Sequence, residues 1–166
     1  MGQRRAAWMA AAAALLWWCA AGLIPVRADP AETDPDLAAR DADFAAGKAA
    51  LNRKEWVEAA KRFHIAERRH PDSADLQNYL GYSYRNLKQF DRAFMHYDRA
   101  LVLDPRHRGA HEYIGEAYLL TGNLAGAEEH LVLLREICLL PCEELADLQK
   151  AIDAYRAQAK ARTASP

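Results

Sequence analysis

Apolar and small residues recur three and four positions apart along most of this chain, and short breaks interrupt the recurrence at regular intervals. Pro35 to about Asn52 carries Ala42, Ala45, Ala46, Ala49 and Ala50 on one small-residue stripe. Glu55 to His70 keeps helical spacing through Trp56, Ala59, Phe63 and Ala66. Breaks near Arg53-Lys54, Pro71-Asp72-Ser73, Asp104-Pro105 and Gly122 leave four further segments: Ala74–Leu87, Gln89–Leu103, Arg108–Thr121 and Asn123 to about Ile137. Asp34 before Pro35 predicts a capped start with proline at the first helical position, and Ser73 predicts a second cap. No stretch alternates with period two, so an all-α fold without a sheet is expected. The last segment places Leu145, Leu148, Ile152 and Tyr155 on one face and Glu144, Asp147, Lys150, Asp153 and Arg156 on the rest. It reads as an amphipathic helix over 142–157 that caps the preceding pair, with 158–166 a frayed tail.

The helix pairs repeat. Glycines fall at Gly47, Gly81 and Gly115, alanines at Ala59, Ala93 and Ala127, and a larger residue follows each alanine at Phe63, Tyr97 and Leu131. Every step is 34 residues. Small residues let two helices approach, and a large neighbour fills the adjacent gap, so Gly81 is expected opposite Ala93 with Tyr84 and Tyr97 beside them. A larger residue at Gly81 would overpack the pair at a cost of about 1–3 kcal/mol.

Helix pairs of this period, with Leu80-Gly81, Tyr84, Ala93, Tyr97, Ala100 and Pro105 in the middle copy, resemble the tetratricopeptide repeat family. The likeness covers roughly residues 38–140. Gln77 departs from the tryptophan usual at the first signature position. Ala46-Gly47 and Ala50 weaken the first copy, and Leu134 and the displaced Pro141 weaken the third. The resemblance implies a right-handed superhelical stack of three helix pairs, at about 40–73, 74–107 and 108–141, inside a domain spanning 35–157. Atypical end copies suit a short array whose outer faces meet solvent or a cap.

The N-terminus changes the picture of the folded unit. Arg4 and Arg5 precede an uncharged run from Ala6 to Val26, and Val26-Arg27-Ala28 offers small residues at a cleavage site. This predicts a signal peptide over 1–28, cut before Asp29, and hence a periplasmic or secreted protein. An uncleaved membrane anchor is the competing reading, since about 20 apolar residues suffice to span a bilayer. Trp18 before Cys19 argues against a lipoprotein, and the residues around Arg4-Arg5 do not otherwise match a twin-arginine signal. Residues 29–34 read as a flexible acidic lead-in. The leader holds three of the 22 basic residues and none of the 23 acidic ones, leaving 19 against 23. A mildly acidic chain without a basic block lacks the footprint of a nucleic-acid binder, and no later stretch is long and apolar enough to cross a membrane.

Chemistry at single residues is sparse. Cys138 and Cys142 flank Leu139-Leu140-Pro141, where one helix should end and the next begin. A structural disulfide is the preferred reading, worth about 2 kcal/mol for so short a loop. A free or partner-linked pair, or a redox or metal pair, stays open. His107 and His111 are four apart without a third ligand at a recognisable spacing, and read as surface residues. His96 and His130 occupy equivalent places and read as outward-facing. There is no glycine-rich phosphate loop and no nucleophile elbow, so neither enzymatic activity nor a cofactor is expected.

In the family that this chain resembles, the first helix of each pair lines a concave groove that binds a peptide or another protein. By register, the resemblance puts Phe44, Lys48, Asn78, Tyr82, Arg85, Glu112 and Glu116 on that groove. It runs from a basic and aromatic end to an acidic end, which suits a partner segment of opposite polarity and opposes a carboxylate clamp. The expected function is partner binding, as a periplasmic adaptor or assembly factor. The rivals are a redox module using Cys138 and Cys142, and a homo-oligomeric scaffold in which one copy's groove accepts a neighbour's helix.

Overall fold

The computed structural model describes residues 37–164. The expected leader, the lead-in and the Asp34-Pro35 cap lie outside the described residues. Within them the chain forms eight helices and no strand: α1 (Leu37–Arg40), α2 (Ala42–Asn52), α3 (Trp56–Glu67), α4 (Ala74–Asn86), α5 (Phe90–Leu103), α6 (Arg108–Leu120), α7 (Leu124–Ile137) and α8 (Glu143–Ala164). Helices α2/α3, α4/α5 and α6/α7 are the three pairs. Each pair packs on the next, and α8 lies across both helices of the third.

The first segment is not one helix. Asp41 breaks it, because its carboxylate caps α2 by accepting from the backbone N–H groups of Asp43 and Phe44, both at 2.9 Å. Arg69 and His70, just past the end of α3, hold the same carboxylate at 2.8 and 3.0 Å, and the Arg69 hydrogen bond keeps it well below the usual carboxylate range. Ser73 caps α4 as expected, accepting from Leu76 N–H at 3.2 Å. At the other end α8 continues to Ala164, past the expected limit at 157. Residues 158–164 contain neither glycine nor proline and are rich in alanine and long basic side chains, which favour helix.

The turns within the pairs are built alike. Lys54, Lys88 and Gly122 each adopt positive φ, at 60°, 59° and 84°. The next residue's N–H then returns to the helix just ended: Glu55 to Ala50, Gln89 to Tyr84 and Asn123 to Tyr118, at 2.8–2.9 Å. Only Gly122 adopts this conformation without a Cβ penalty.

The repeated glycines work by close approach, directly against a ring rather than against the repeated alanine. A Cβ on Gly47 would lie 2.5 Å from the Phe63 ring, and one on Gly81 would lie 2.5 Å from the Tyr97 ring. Gly115 instead faces Leu148 of α8. Phe63, Leu76, Leu80 and Tyr97 anchor a main core through the first two pairs. Leu131, Leu134, Leu148 and Ile152 form a second core under α8, and Tyr118 packs against both. No helix among the described residues is long and apolar enough to cross a membrane.

Candidate functional site

Helices α2, α4 and α6 present one continuous face, and its character follows from three register positions. Phe44, Asn78 and Glu112 share the first. Phe44 is not a groove residue: it is buried, with its ring 5.6 Å from both Phe63 and Tyr79. Asn78 and Glu112 are also largely enclosed. Lys48, Tyr82 and Glu116 share the second position and reach the surface to different degrees. Tyr79 and Tyr113 share the third, which the sequence reading passed over. These two tyrosines stand 34 residues apart, and that equivalence was the available signal.

An aromatic floor results. Tyr82 packs 4.9 Å from Tyr113 and 6.0 Å from Trp56, and Tyr79 stacks on Phe63 at 5.5 Å. The exposed Lys48 Nζ lies 5.1 Å above the Tyr79 ring. Lys48, Leu51, Asn52, Tyr79, Tyr82 and Tyr113 enclose a cavity of about 220 Å³ between the three helices. Tyr79 and Tyr113 also wall a second cavity beside it, of about 280 Å³, which reaches α8.

Arg85 belongs to the frame of this face. Its guanidinium lies 5.0 Å from the Tyr82 ring and 5.2 Å from the Tyr113 ring. It donates to Glu116 on α6, and only 10% of its side chain is exposed. The expected pair of partner contacts, Arg85 and Glu116, therefore join two repeats to each other. Glu112 lies one turn earlier on α6. Burial pushes its carboxyl up to about 8, and the nearby Glu116, Asp147 and Glu144 push the same way.

His96, His107 and His111 are buried and His130 is half-buried, against expectation. His107 caps α6 by accepting from Ala110 N–H at 3.1 Å and donates to Asp75 at 3.0 Å. His111 donates to the Pro105 carbonyl at 3.1 Å, which leaves its Nδ1 to accept from His130 at 2.9 Å. His96 donates to Gln77 at 2.8 Å and stacks on Tyr84. The contacts of His96, His111 and His130 have a common origin at the position where the family's tryptophan is missing. In each copy a polar residue stands there and pairs with the residue 19 positions on: Asp43 with Arg62, Gln77 with His96, and His111 with His130. Burial lowers His96 and His130 to about 4.

The sulfurs of Cys138 and Cys142 sit at disulfide separation across the turn between α7 and α8, with the Cα atoms 6.0 Å apart. Among the described residues no three His, Cys, Asp or Glu side chains are placed to hold a metal ion.

The sequence profile of the tetratricopeptide repeat matches residues 44–105 and 95–135, more than half of the chain. No curated protein sequence matches it. Among solved structures, the type III secretion translocator chaperone SycD of Yersinia enterocolitica, in complex with a peptide of the translocator YopD, superposes with a TM-score of 0.64. The identity is 20%, over 73% of this chain and 95% of that one. PcrH in complex with the chaperone binding region of PopD gives 0.64 at 20% identity, over 73% and 93% of the two chains. The TPR2B domain of yeast Sti1, in its pHsp70 complex, gives 0.64 at 18% identity, over 74% and 98%. At these identities the structural likeness is one of fold. The profile match, the three glycine-centred pairs and the shared fold agree, and the chain belongs to the tetratricopeptide repeat family.

Proposed function

We propose that this protein is an interaction module that binds a segment of another protein on the α2/α4/α6 face. The observation that carries this reading is the floor of Tyr79, Tyr82 and Tyr113 with two adjoining cavities, edged by Lys48. Aromatic rings supply large rigid contact area at low entropic cost, and such surfaces recur where proteins are recognised. The similar PcrH and SycD structures hold the chaperone binding region of PopD and a peptide of YopD, and the Sti1 domain is in its pHsp70 complex, which supports the same use here. The module acts by binding rather than by catalysis. Residues 1–28 support export, with work in the periplasm or outside the cell as an adaptor or assembly factor. Cys138 and Cys142 then form a structural disulfide that fixes the α7–α8 turn.

Affinity capture from the native envelope fraction tests the reading, with the wild type beside Lys48→Glu and Tyr82→Ala. Loss of a captured partner in both variants is expected. If every partner stays bound to both, the face is wrongly assigned. Thiol titration of the folded, exported protein tests the cysteines: a readily reduced pair would favour redox exchange over a structural bridge.

A further inference from the structure

We propose that the bound segment holds to this face by two anchors: an acidic side chain in the cavity between α2, α4 and α6, and a large apolar side chain in a cavity beside α8. Both anchors rest on the groove reading and state the chemistry of the segment that it binds.

The first anchor follows from what the α2/α4/α6 cavity leaves unmet. It is lined by the Lys48 ammonium, the Asn52 amide and the rings of Tyr79, Tyr82 and Tyr113, and no carboxylate lines it among the described residues. The ammonium, the amide and the three hydroxyls have no hydrogen-bond or ion-pair partner among the described residues. Lys48 rests on the Tyr79 ring, at 5.1 Å. Ammonium, amide and phenol groups all donate, and the one charge is positive. A carboxylate brings acceptors and the opposite charge, so it is the group that this lining complements.

The second anchor follows from the reverse case. A cavity of about 290 Å³ opens where α4 and α6 end, beside α8, and is lined by Arg85, Asn86, Glu116, Leu119, Leu120 and Ala151. Here the polar groups are already met. Arg85 and Glu116 pair with each other, and the Asn86 amide donates to the Tyr82 carbonyl at 2.8 Å. The apolar ones are not. Leu120 is 63% exposed and belongs to neither core. Asparagine holds its place in the other two copies, as Asn52 and Asn86. The fold thus accepts a polar residue at this position, and leucine stands where this cavity opens. A lining whose charges cancel and whose leucine is bare takes an apolar side chain, which gains by leaving water. Arg85 connects the two cavities. It lines the second, and its guanidinium lies 5.0 and 5.2 Å from the Tyr82 and Tyr113 rings that line the first. One segment laid across Arg85 reaches both.

A displayed library of random short peptides, selected on the intact protein, tests the two anchors. Peptides that lose binding to Tyr82→Ala are expected to share an acidic residue and a large apolar residue at a fixed spacing. Exchanging the apolar residue for alanine should weaken binding about tenfold or more. Exchanging the acid for its amide should weaken it by up to about fivefold, and by less at high salt. Selection on Lys48→Glu should replace the acid by a base. Selection on Leu120→Asn, which installs the residue of the other two copies at an exposed position, should remove the apolar preference and keep the acid. If Tyr82-dependent peptides lack either anchor, or if either variant selects the wild-type pattern, the two anchors are overturned and the groove stands. If no selected peptide depends on Tyr82, the groove reading falls and the anchors fall with it.

Discussion

Gly115 packs against Leu148 of the last helix, whereas Gly47 and Gly81 pack against Phe63 and Tyr97 inside their own pairs. The equivalent residue of the third pair is Leu131, which is smaller than a ring. Leu148 reaches in from α8 to fill the difference, and a Cβ on Gly115 would meet its Cδ1 at 2.7 Å. The last helix is thus fitted to this glycine. Leu148→Ala should destabilise by about 2–5 kcal/mol, the range for a fully buried leucine. Gly115→Ala should cost about 1–3 kcal/mol by overpacking. The double variant should be more stable than the sum of the two losses, because the new methyl occupies space that Leu148 vacates. Urea unfolding of the four proteins measures this, and simple additivity would contradict the fit.

Tyr97 has a buried hydroxyl without a hydrogen-bond partner among the described residues. Phe63 holds the equivalent place in the first pair with no hydroxyl at all. Tyr97→Phe should therefore leave stability unchanged or raise it by about 1 kcal/mol. A loss in denaturant unfolding would show that the hydroxyl has a partner in solution.

Removing Glu116 leaves Arg85 enclosed between two rings without its carboxylate. Glu116→Ala should cost about 2 kcal/mol, somewhat under the full penalty for breaking a buried pair, because Glu116 is partly exposed. Arg85→Met should cost less, since it removes the charge that needs compensation. The ranking of the two in thermal unfolding checks the assignment, and a larger loss for Arg85→Met would reverse it.

Stability should peak near pH 6.5. His96 and His130 titrate at about 4 in the folded chain, below their ordinary 6.5. Between those values the unfolded chain binds protons that the folded chain refuses, so stability falls as pH drops through this window. Glu112 acts in the other direction. Its folded value of about 8 lies above the ordinary 4.5, so its contribution is complete below 4.5 and is lost as pH rises through 8. Glu112→Gln should flatten the decline between pH 6.5 and 8, and should steepen the fall from pH 6.5 towards 4.5, where Glu112 offsets part of the histidine slope. Melting temperatures across that range decide it.

The helix pairs were legible because packing two helices closely imposes the same size constraint in every copy. Gly47, Gly81 and Gly115 with Ala59, Ala93 and Ala127 write that constraint into the chain. The partner of Gly115 was not legible, because Leu148 lies outside the period. The breaks at Lys54 and Lys88 were legible but their backbone conformation was not, since lysine gives no hint of positive φ and only Gly122 does. Arg85 looked like a residue for a partner, yet its charge is met by Glu116 from the next pair, at a separation of 31 rather than 34. The histidines looked external because imidazole is tolerated in water. The placement of His96, His111 and His130 follows from a pairing across 19 residues that any one copy leaves unremarkable, and that of His107 from its bond to Asp75.

That pairing has a consequence for how the chain finds its form. Chains of similar repeats risk joining a helix to the wrong neighbour while they fold. Here the second helix of each pair carries a different polar key: a guanidinium in Arg62, an imidazole facing an amide in His96, and an imidazole facing another imidazole in His130. A swapped helix would set Arg62 against Gln77, or a neutral imidazole against Asp43, and lose its intended donor or acceptor. The skeleton makes the three pairs alike, and these polar contacts make them non-interchangeable.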